Sequence, residues 1–412
     1  MDSEQTIQAI ELFVGLIAAA AIVGLVVRRL TIPYTVALVI LGVFATSFVP
    51  GGRVEFSPEL VLLVLLPGLV FEAALRIDLG DLRRSFGAVA LLAVPGVLIS
   101  AATVAVILNV ATGLPPTLGF VVGSMVAATD PVAVVSTFKH LGSPRRLATL
   151  IESESLFNDG TALVVFAVAL RAAVGPVSPA DALVSMALTV AVSAIIGLAA
   201  GYVVSRLIAS VDDHLIELTL SLVAAYGTYL LADRLGQSGI IATVVAGLII
   251  GNHGRQIGMS ERTQEALDTV WEFFAYLLTA LVFLLVGLAI SVDQLLDVLP
   301  SIAWGVVAIL VGRAIVVYGL VGGVSRLAVV TRRRRGVPIA WLHVLFWAGL
   351  RGAVAVAMAL SLPEGFPERK LLQEITFGII LFTLLVQGTT IEWVIDRVGA
   401  GRPRAGADAA DG

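Results

Sequence analysis

The sequence has no cysteine, only four histidines in 412 residues, and few charges: Asp, Glu, Lys and Arg together make up 14% of it. Without cysteine there is no disulfide framework, no thiol nucleophile, no thiolate metal site and no palmitoyl anchor, and nothing is implied about redox compartment. Four scattered histidines make no metal cluster. A soluble domain carries roughly 25% charged residues. A chain this poor in charge, 58% hydrophobic and with a mean hydropathy of +1.00, is not an ordinary soluble protein. The formal net charge of −4 gives no basic footprint, so no nucleic-acid partner is expected. What remains is an all-α polytopic membrane protein whose surroundings are a lipid bilayer.

The apolar stretches are long Ala/Val/Leu runs. They suit helices of about 20 residues and not the short alternating strands of a barrel. Thirteen candidate spans read off at roughly 7–27, 33–49, 58–75, 86–109, 116–138, 147–170, 179–209, 214–233, 238–251, 265–290, 298–325, 338–361 and 371–396. The first is not expected to be a signal peptide, because Met1–Thr6 has two acids and no base and the apolar run is too long. With the N-terminus outside, nineteen Lys and Arg fall on inner segments, among them Arg28, Arg29, Arg145, Arg146 and Arg332–Arg335. Five fall outside: Arg53, Arg171, Arg234, Arg369 and Lys370. That asymmetry predicts an odd number of spans in the cell (inner or plasma) membrane, with the C-terminus cytoplasmic. Residues 1–398 read as one membrane transport unit, and 399–412 as a disordered cytoplasmic tail.

Ionisable side chains at mid-membrane cost about 2.5–3.5 kcal/mol each on insertion scales, so each one asks for a reason. Asp159 lies about 18 Å into the sixth span at 1.5 Å per residue. Asp130, Glu154, Arg313 and Arg351 converge on similar depth from the fifth, sixth, eleventh and twelfth spans. On the sixth helix Glu154, Asn158, Ser155 and Asp159 fall at about 0°, 40°, 100° and 140°, one polar side of an otherwise apolar helix.

Two spans carry breaks at this depth. Ala128-Thr129-Asp130-Pro131 ends a turn and frees carbonyls near Val126 and Ala127. Gly349-Leu350-Arg351-Gly352 permits a second break. Irregular backbone survives in a membrane only where it lines a cavity or is buried in protein. The two spans are seven crossings apart and run in opposite directions. The expected architecture is therefore an inverted repeat whose two broken helices cross at the midplane, with the substrate site at the crossing. Two acids and two bases can neutralise one another, and half-helix dipole ends also need compensation. Asp159 is the carboxylate left over. Desolvation disfavours its charge, so it is expected to keep a proton until a cation arrives.

At these residues the sequence resembles the monovalent cation–proton antiporters, in the NhaP and sodium/proton exchanger branch. The matching stretches are Thr129-Asp130-Pro131, Glu154-Ser155-Leu156-Phe157-Asn158-Asp159-Gly160, Gly312-Arg313 and Gly349-Leu350-Arg351-Gly352-Ala353-Val354. Leu66-Pro67 to Phe71-Glu72 and Phe283 to Gly287 also look like family segments, and the resemblance runs from about residue 10 to 396. It implies a homodimer. It implies a mobile core at about 86–171 and 298–396 working against interface helices at about 7–75 and 179–290. It implies a Na⁺ held by Asp159, Ser155, the Thr129 backbone or side chain, and Glu154 through water. Asn158 would bridge to Glu154 or to the break of the fifth helix, and Arg313 would pair with Glu154 and Arg351 with Asp130.

Elementary chemistry supports the same activity. A hard monovalent cation wants five or six oxygens, which carboxylate, hydroxyls, freed carbonyls and water can supply. One carboxylate can be neutralised by a proton or by Na⁺ but not by both. Asn rather than Asp at 158 leaves one titrating group, so the expectation is electroneutral 1:1 exchange of Na⁺ (or Li⁺) for H⁺ by alternating access. The chain reads as a transporter and not an enzyme, with no cofactor beyond the transported ions. A K⁺/H⁺ antiporter is the alternative within the class. A passive cation channel would want a continuous polar lining. An intramembrane aspartyl protease would need Asp130 and Asp159 on one scissile bond. Among the other polar residues, Glu72, Glu217 and Glu272 suit interfacial charges reaching to water, or an acidic funnel. His343 is in the range of a pH sensor. Gln387 suits a hydrogen bond between helices, Arg332–Arg335 a topology determinant touching anionic lipid, and Ala199-Ala200-Gly201 a packing face.

Overall fold

The computed structural model describes residues 3–27, 33–46, 59–141, 144–330 and 337–400. Among the described residues all regular structure is helical. Within the described residues, each predicted span falls on helix, the spans at 116–138 and 338–361 on two half-helices each. The helices are α1 (Ser3–Val27), α2 (Tyr34–Thr46) and α3 (Leu66–Arg76, entered through a wider π-turn at Leu60–Leu65). Next come α4 (Leu79–Thr112), α5 (Pro116–Met125), α6 (Val132–Leu141) and α7 (Arg145–Val174). Then follow α8 (Pro179–Ile208), α9 (His214–Arg234), α10 (Gly239–Ile257), α11 (Glu261–Leu288) and the short α12 (Val292–Asp297). The last are α13 (Leu299–Leu327), α14 (Ile339–Trp347), α15 (Ala353–Leu360) and α16 (Arg369–Arg397). Among the described residues eight of these are long and apolar enough to cross a membrane as single helices. The fourth span begins seven residues earlier than the apolar run suggested, because Asp78 caps α4 by accepting from the Asp81 N–H at 2.9 Å. Arg28, Arg29, Arg53, Arg332–Arg335 and the tail beyond residue 400 lie outside the described residues.

The repeat is visible in the element order. A long helix, a broken helix and a second long helix occur twice, as α4, α5/α6, α7 and as α13, α14/α15, α16. Helix α4 packs on α5, α7 and α13, and α13 on α16. Elsewhere α2 lies against α11, α3 against α10, and α10 against α8 and α9. Small residues allow these approaches: a Cβ on Gly119 of α5 would sit 2.9 Å from Ala105 Cα of α4. Helix α8 keeps large apolar side chains such as Leu183, Leu188 and Ile195 exposed, as a lipid-facing helix does.

Candidate functional site

The chain unwinds at Val126–Pro131 and at Ala348–Gly352, and the two breaks meet. Proline makes the first, because Pro131 has no N–H and its ring excludes a continuing turn. Close approach makes the second: a Cβ on Gly352 would collide with the Asp130 carboxylate. The Asp130 N–H donates to Leu350 O at 2.8 Å, which ties one break to the other.

Each broken helix leaves orphan groups, and the buried charges are sorted to them. The Asp130 carboxylate sits at two helix starts. It accepts from the Val132 N–H of α6 at 3.0 Å and lies over Gly352 at the start of α15. Arg351 goes to the opposite pole. Its Nη1 donates to Ala127 O at 2.9 Å and to Ala128 O at 3.1 Å, the carbonyls released beyond α5. The expected Arg351–Asp130 ion pair is therefore not formed. Each group compensates a helix end, where the partial charge is fixed and already desolvated. The carbonyls expected as ion ligands are consequently occupied by a guanidinium. The Arg351 N–H is held by Thr383 Oγ1 of α16 at 3.1 Å, a lone hydroxyl that the sequence reading passed over.

Arg313 and Glu154 do pair. Arg313 Nη1 contacts Glu154 Oε1, and Nη2 donates to Oε2 at 3.0 Å. The same guanidinium donates to Leu345 O in the last turn of α14, from Nε at 3.1 Å and Nη2 at 2.7 Å. Both side chains are buried. Both Glu154 oxygens are thus engaged by Arg313.

One turn further along α7 the surroundings change. Asn158 donates from Nδ2 to Thr129 Oγ1 at 2.7 Å and accepts the Thr129 N–H at 3.3 Å. Of the two destinations left open for Asn158, the structure has the break and not Glu154. Ser155 Oγ donates to Thr129 O. Thr129 is therefore clamped to α7 through its N–H, its carbonyl and its hydroxyl. Asp159 lies on the same side of α7. Its Oδ1 is enclosed, and among the described residues it has no hydrogen-bond partner. The Arg351 Nε is likewise enclosed without an acceptor. The site thus combines an uncommitted carboxylate with two hydroxyls, Ser155 and Thr129. Among the described residues no group of three or more His, Asp or Glu is placed to hold a metal ion. A mixed set of carboxylate and hydroxyl oxygens suits a hard monovalent cation.

The remaining candidates lie apart from this site. A cleft of about 330 Å³ opens where Arg76, Asp78, Arg145, Asn252, Asp268 and Glu272 come together. Glu72 bonds Arg76 within α3, and Arg76 Nη2 lies 3.7 Å from the exposed Glu272. Glu217 does not reach to water. It is 2% exposed and accepts from Thr263 Oγ1 at 3.3 Å. His343 is exposed, with Nδ1 2.8 Å from the Tyr318 hydroxyl. Gln387 is buried, but among the described residues its Oε1 has no hydrogen-bond partner, so the interhelical bond expected of it is not made through that oxygen there.

Comparison with known proteins shows the family. The model of the family described as sodium/hydrogen exchanger, transmembrane, matches residues 17–397. The Na⁺/H⁺ antiporter ApNhaP of Aphanothece halophytica is 41% identical over 372 residues, covering 89% of this chain and 70% of its own. The low-affinity Na⁺/H⁺ antiporter NhaS1 of Synechocystis sp. is 40% identical over 367 residues, with 88% and 69% covered. Among solved structures, the sodium proton antiporter MjNhaP1 of Methanocaldococcus jannaschii at pH 8 superposes with a TM-score of 0.77 at 19% identity, covering 96% of this chain and 100% of that one. Polytopic helices, crossed breaks and a match over nearly the whole length converge: the chain is a multi-pass membrane protein of the sodium/hydrogen exchanger family.

Proposed function

We propose that the protein exchanges Na⁺ for H⁺ across the cell membrane, one for one, by alternating access, with Asp159 neutralised in turn by the cation and the proton. The observation that carries this reading is the uncommitted Asp159 oxygen, set among buried charges that are otherwise assigned to helix ends or to each other. Relatives at 41% and 40% identity bear the name Na⁺/H⁺ antiporter, which favours sodium as the ion. Ser155, Thr129 and water complete the oxygen shell around a bound ion. Asn158 positions Thr129, and Arg313, Arg351 and Asp130 hold the two breaks.

The coupling follows from desolvation. A bare carboxylate is costly to move through a low-dielectric passage, whereas its protonated or Na⁺-bound form is near neutral. Only loaded states then cross, so the two ions exchange. With Asn at 158, a single titrating group carries the cycle and no net charge moves. The helices α4–α7 and α13–α16 form the moving body and α1–α3 with α8–α11 the stationary one, in a homodimer with N-terminus outside and C-terminus cytoplasmic.

The test is exchange in proteoliposomes loaded with Na⁺, read by an internal pH dye. Sodium-dependent proton movement that disappears in Asp159→Asn supports the reading, and full activity in that variant defeats it. Ion flux without proton movement turns the protein into a channel. Repeating the assay with Li⁺ and K⁺ ranks the ions, and an imposed potential that drives net Na⁺ flux excludes 1:1 exchange.

A further inference from the structure

Among the described residues the shortest chain link between the two groups of helices is Ile77–Asp78, between α3 and α4. Helix α3 is sealed onto α10: a Cβ on Gly251 would lie 2.8 Å from Leu75 Cα. Helix α4 belongs by packing with α5, α7 and α13. One side chain spans the link between them. Asn252, in the π-helical stretch Ile250–Gly254 of α10, donates from Nδ2 to Ile77 O at 2.9 Å. Its Oδ1 accepts the Leu79 N–H, the first of α4, at 3.0 Å. A second Nδ2 bond to Leu248 O at 2.9 Å, one turn back on its own helix, fixes the rotamer. Two carbonyls face the nitrogen and one N–H faces the oxygen, so only one orientation of the amide satisfies all three.

We infer that Asn252 is the pin on which the moving helices are hinged to the stationary ones, a positioning residue for the transport step. The inference rests on the alternating-access reading above. The link has extended backbone at both residues, Ile77 with ψ 121° and Asp78 with ψ 124°, flanked by helix on either side. Such element-terminal residues are where hinge rotation is absorbed. The carboxamide holds the peptide groups on either side of Asp78, through Ile77 O and the Leu79 N–H, so it fixes the start of α4 to α10 at this one point. Asn252 and Asp78 also border the cleft where Arg145 of α7 faces Arg76 of α3. The pin therefore stands at the edge of the opening that a rocking motion would widen or close. Helix α4 runs 34 residues from this point, about 50 Å at 1.5 Å per residue. A small rotation at Leu79 becomes a large displacement at its far end. A pin of neutral hydrogen bonds suits this task. It keeps its direction while its bond angles flex, and unlike an ion pair it is indifferent to salt and pH.

The experiment uses the full chain and the Asn252→Ala variant. In proteoliposomes the turnover per folded molecule is expected to fall about tenfold while the KM for Na⁺ stays within about twofold, since the ion's ligands are untouched. A residue needed only for folding would lower the amount of transporter and leave turnover per molecule intact. The second measurement needs no transport. Because the chain has no cysteine, Val110→Cys on α4 and Leu231→Cys on α9, both exposed, take spin labels at those two positions alone. The distance distribution between them is expected to broaden about twofold or more in Asn252→Ala, because rotation is no longer confined to one point. An unchanged distribution overturns the pin, and so does unchanged turnover. If the unsubstituted protein moves no protons in response to Na⁺, the proposed function fails, and the spin-label distances still decide whether Asn252 confines the motion.

Discussion

Glu154 and Asp159 stand five residues apart on α7, and their surroundings are opposite. Glu154 is held through both oxygens by Arg313, which is itself anchored to the end of α14. Asp159 has an enclosed oxygen with no hydrogen-bond partner among the described residues. A buried carboxylate with a fixed counter-charge is a structural element, because releasing it strands the partner in a low dielectric. A buried carboxylate with an oxygen that no donor holds is available to exchange. In the proposed function, this helix separates the work of holding the fold from the work of binding, about one and a half turns apart.

The largest test of that contrast is Asp159→Asn. Exchange is expected to fall more than a hundredfold, as expected for loss of the sole exchanging group. The thermal midpoint of the purified protein should hold or rise, because a desolvated carboxylate has been removed. Glu154→Gln should do the reverse. It leaves Arg313 unpaired and is expected to destabilise the fold by about 3–5 kcal/mol, read as a lowered thermal midpoint. Adding Arg313→Gln should recover most of that loss, and a double-mutant cycle over the pair measures the coupling. A milder test uses pH. If proton and cation compete for one carboxylate, the apparent KM for Na⁺ should rise about tenfold for each unit of acidification once the proton dominates the site. A KM indifferent to pH would put proton and cation on separate groups and erase the distinction drawn here. The smallest effect is expected from Ser155→Ala, a rise in the Na⁺ KM of roughly three- to tenfold with maximal rate nearly kept. It removes one hydroxyl and the donor to Thr129 O, but not the charge.

Much of this was legible in the sequence, because the signals are local. Length and apolarity mark the spans, Pro131 and the Gly349/Gly352 pair mark the breaks, and the face shared by Glu154, Ser155, Asn158 and Asp159 follows from helical spacing alone. The partners of the charges were harder, because they are set by where helices end in space. Arg351 looks like a mate for Asp130 when charges are counted, yet it serves the carbonyls of Ala127 and Ala128. Only the crossing angle of the two breaks decides between those outcomes. Glu217 reads as an interfacial acid from its position near a helix start, but packing of α9 on α11 buries it beside Thr263. Asn252 gave no signal at all. An isolated asparagine near a helix end has many uses, and its three partners are 4, 173 and 175 residues away.

The bond from the Asp130 N–H to Leu350 O has a consequence for selectivity. It joins the two breaks into one frame, and Asn158 and Ser155 lock Thr129 into the same frame. In exchange as proposed, the ligands travel with the ion and are not handed over between bodies. The preference for one alkali ion over another should then be the same whether it is measured from the cytoplasmic or the external solution. A carrier built in this way has no intrinsic forward direction, and the two gradients alone decide which way it runs.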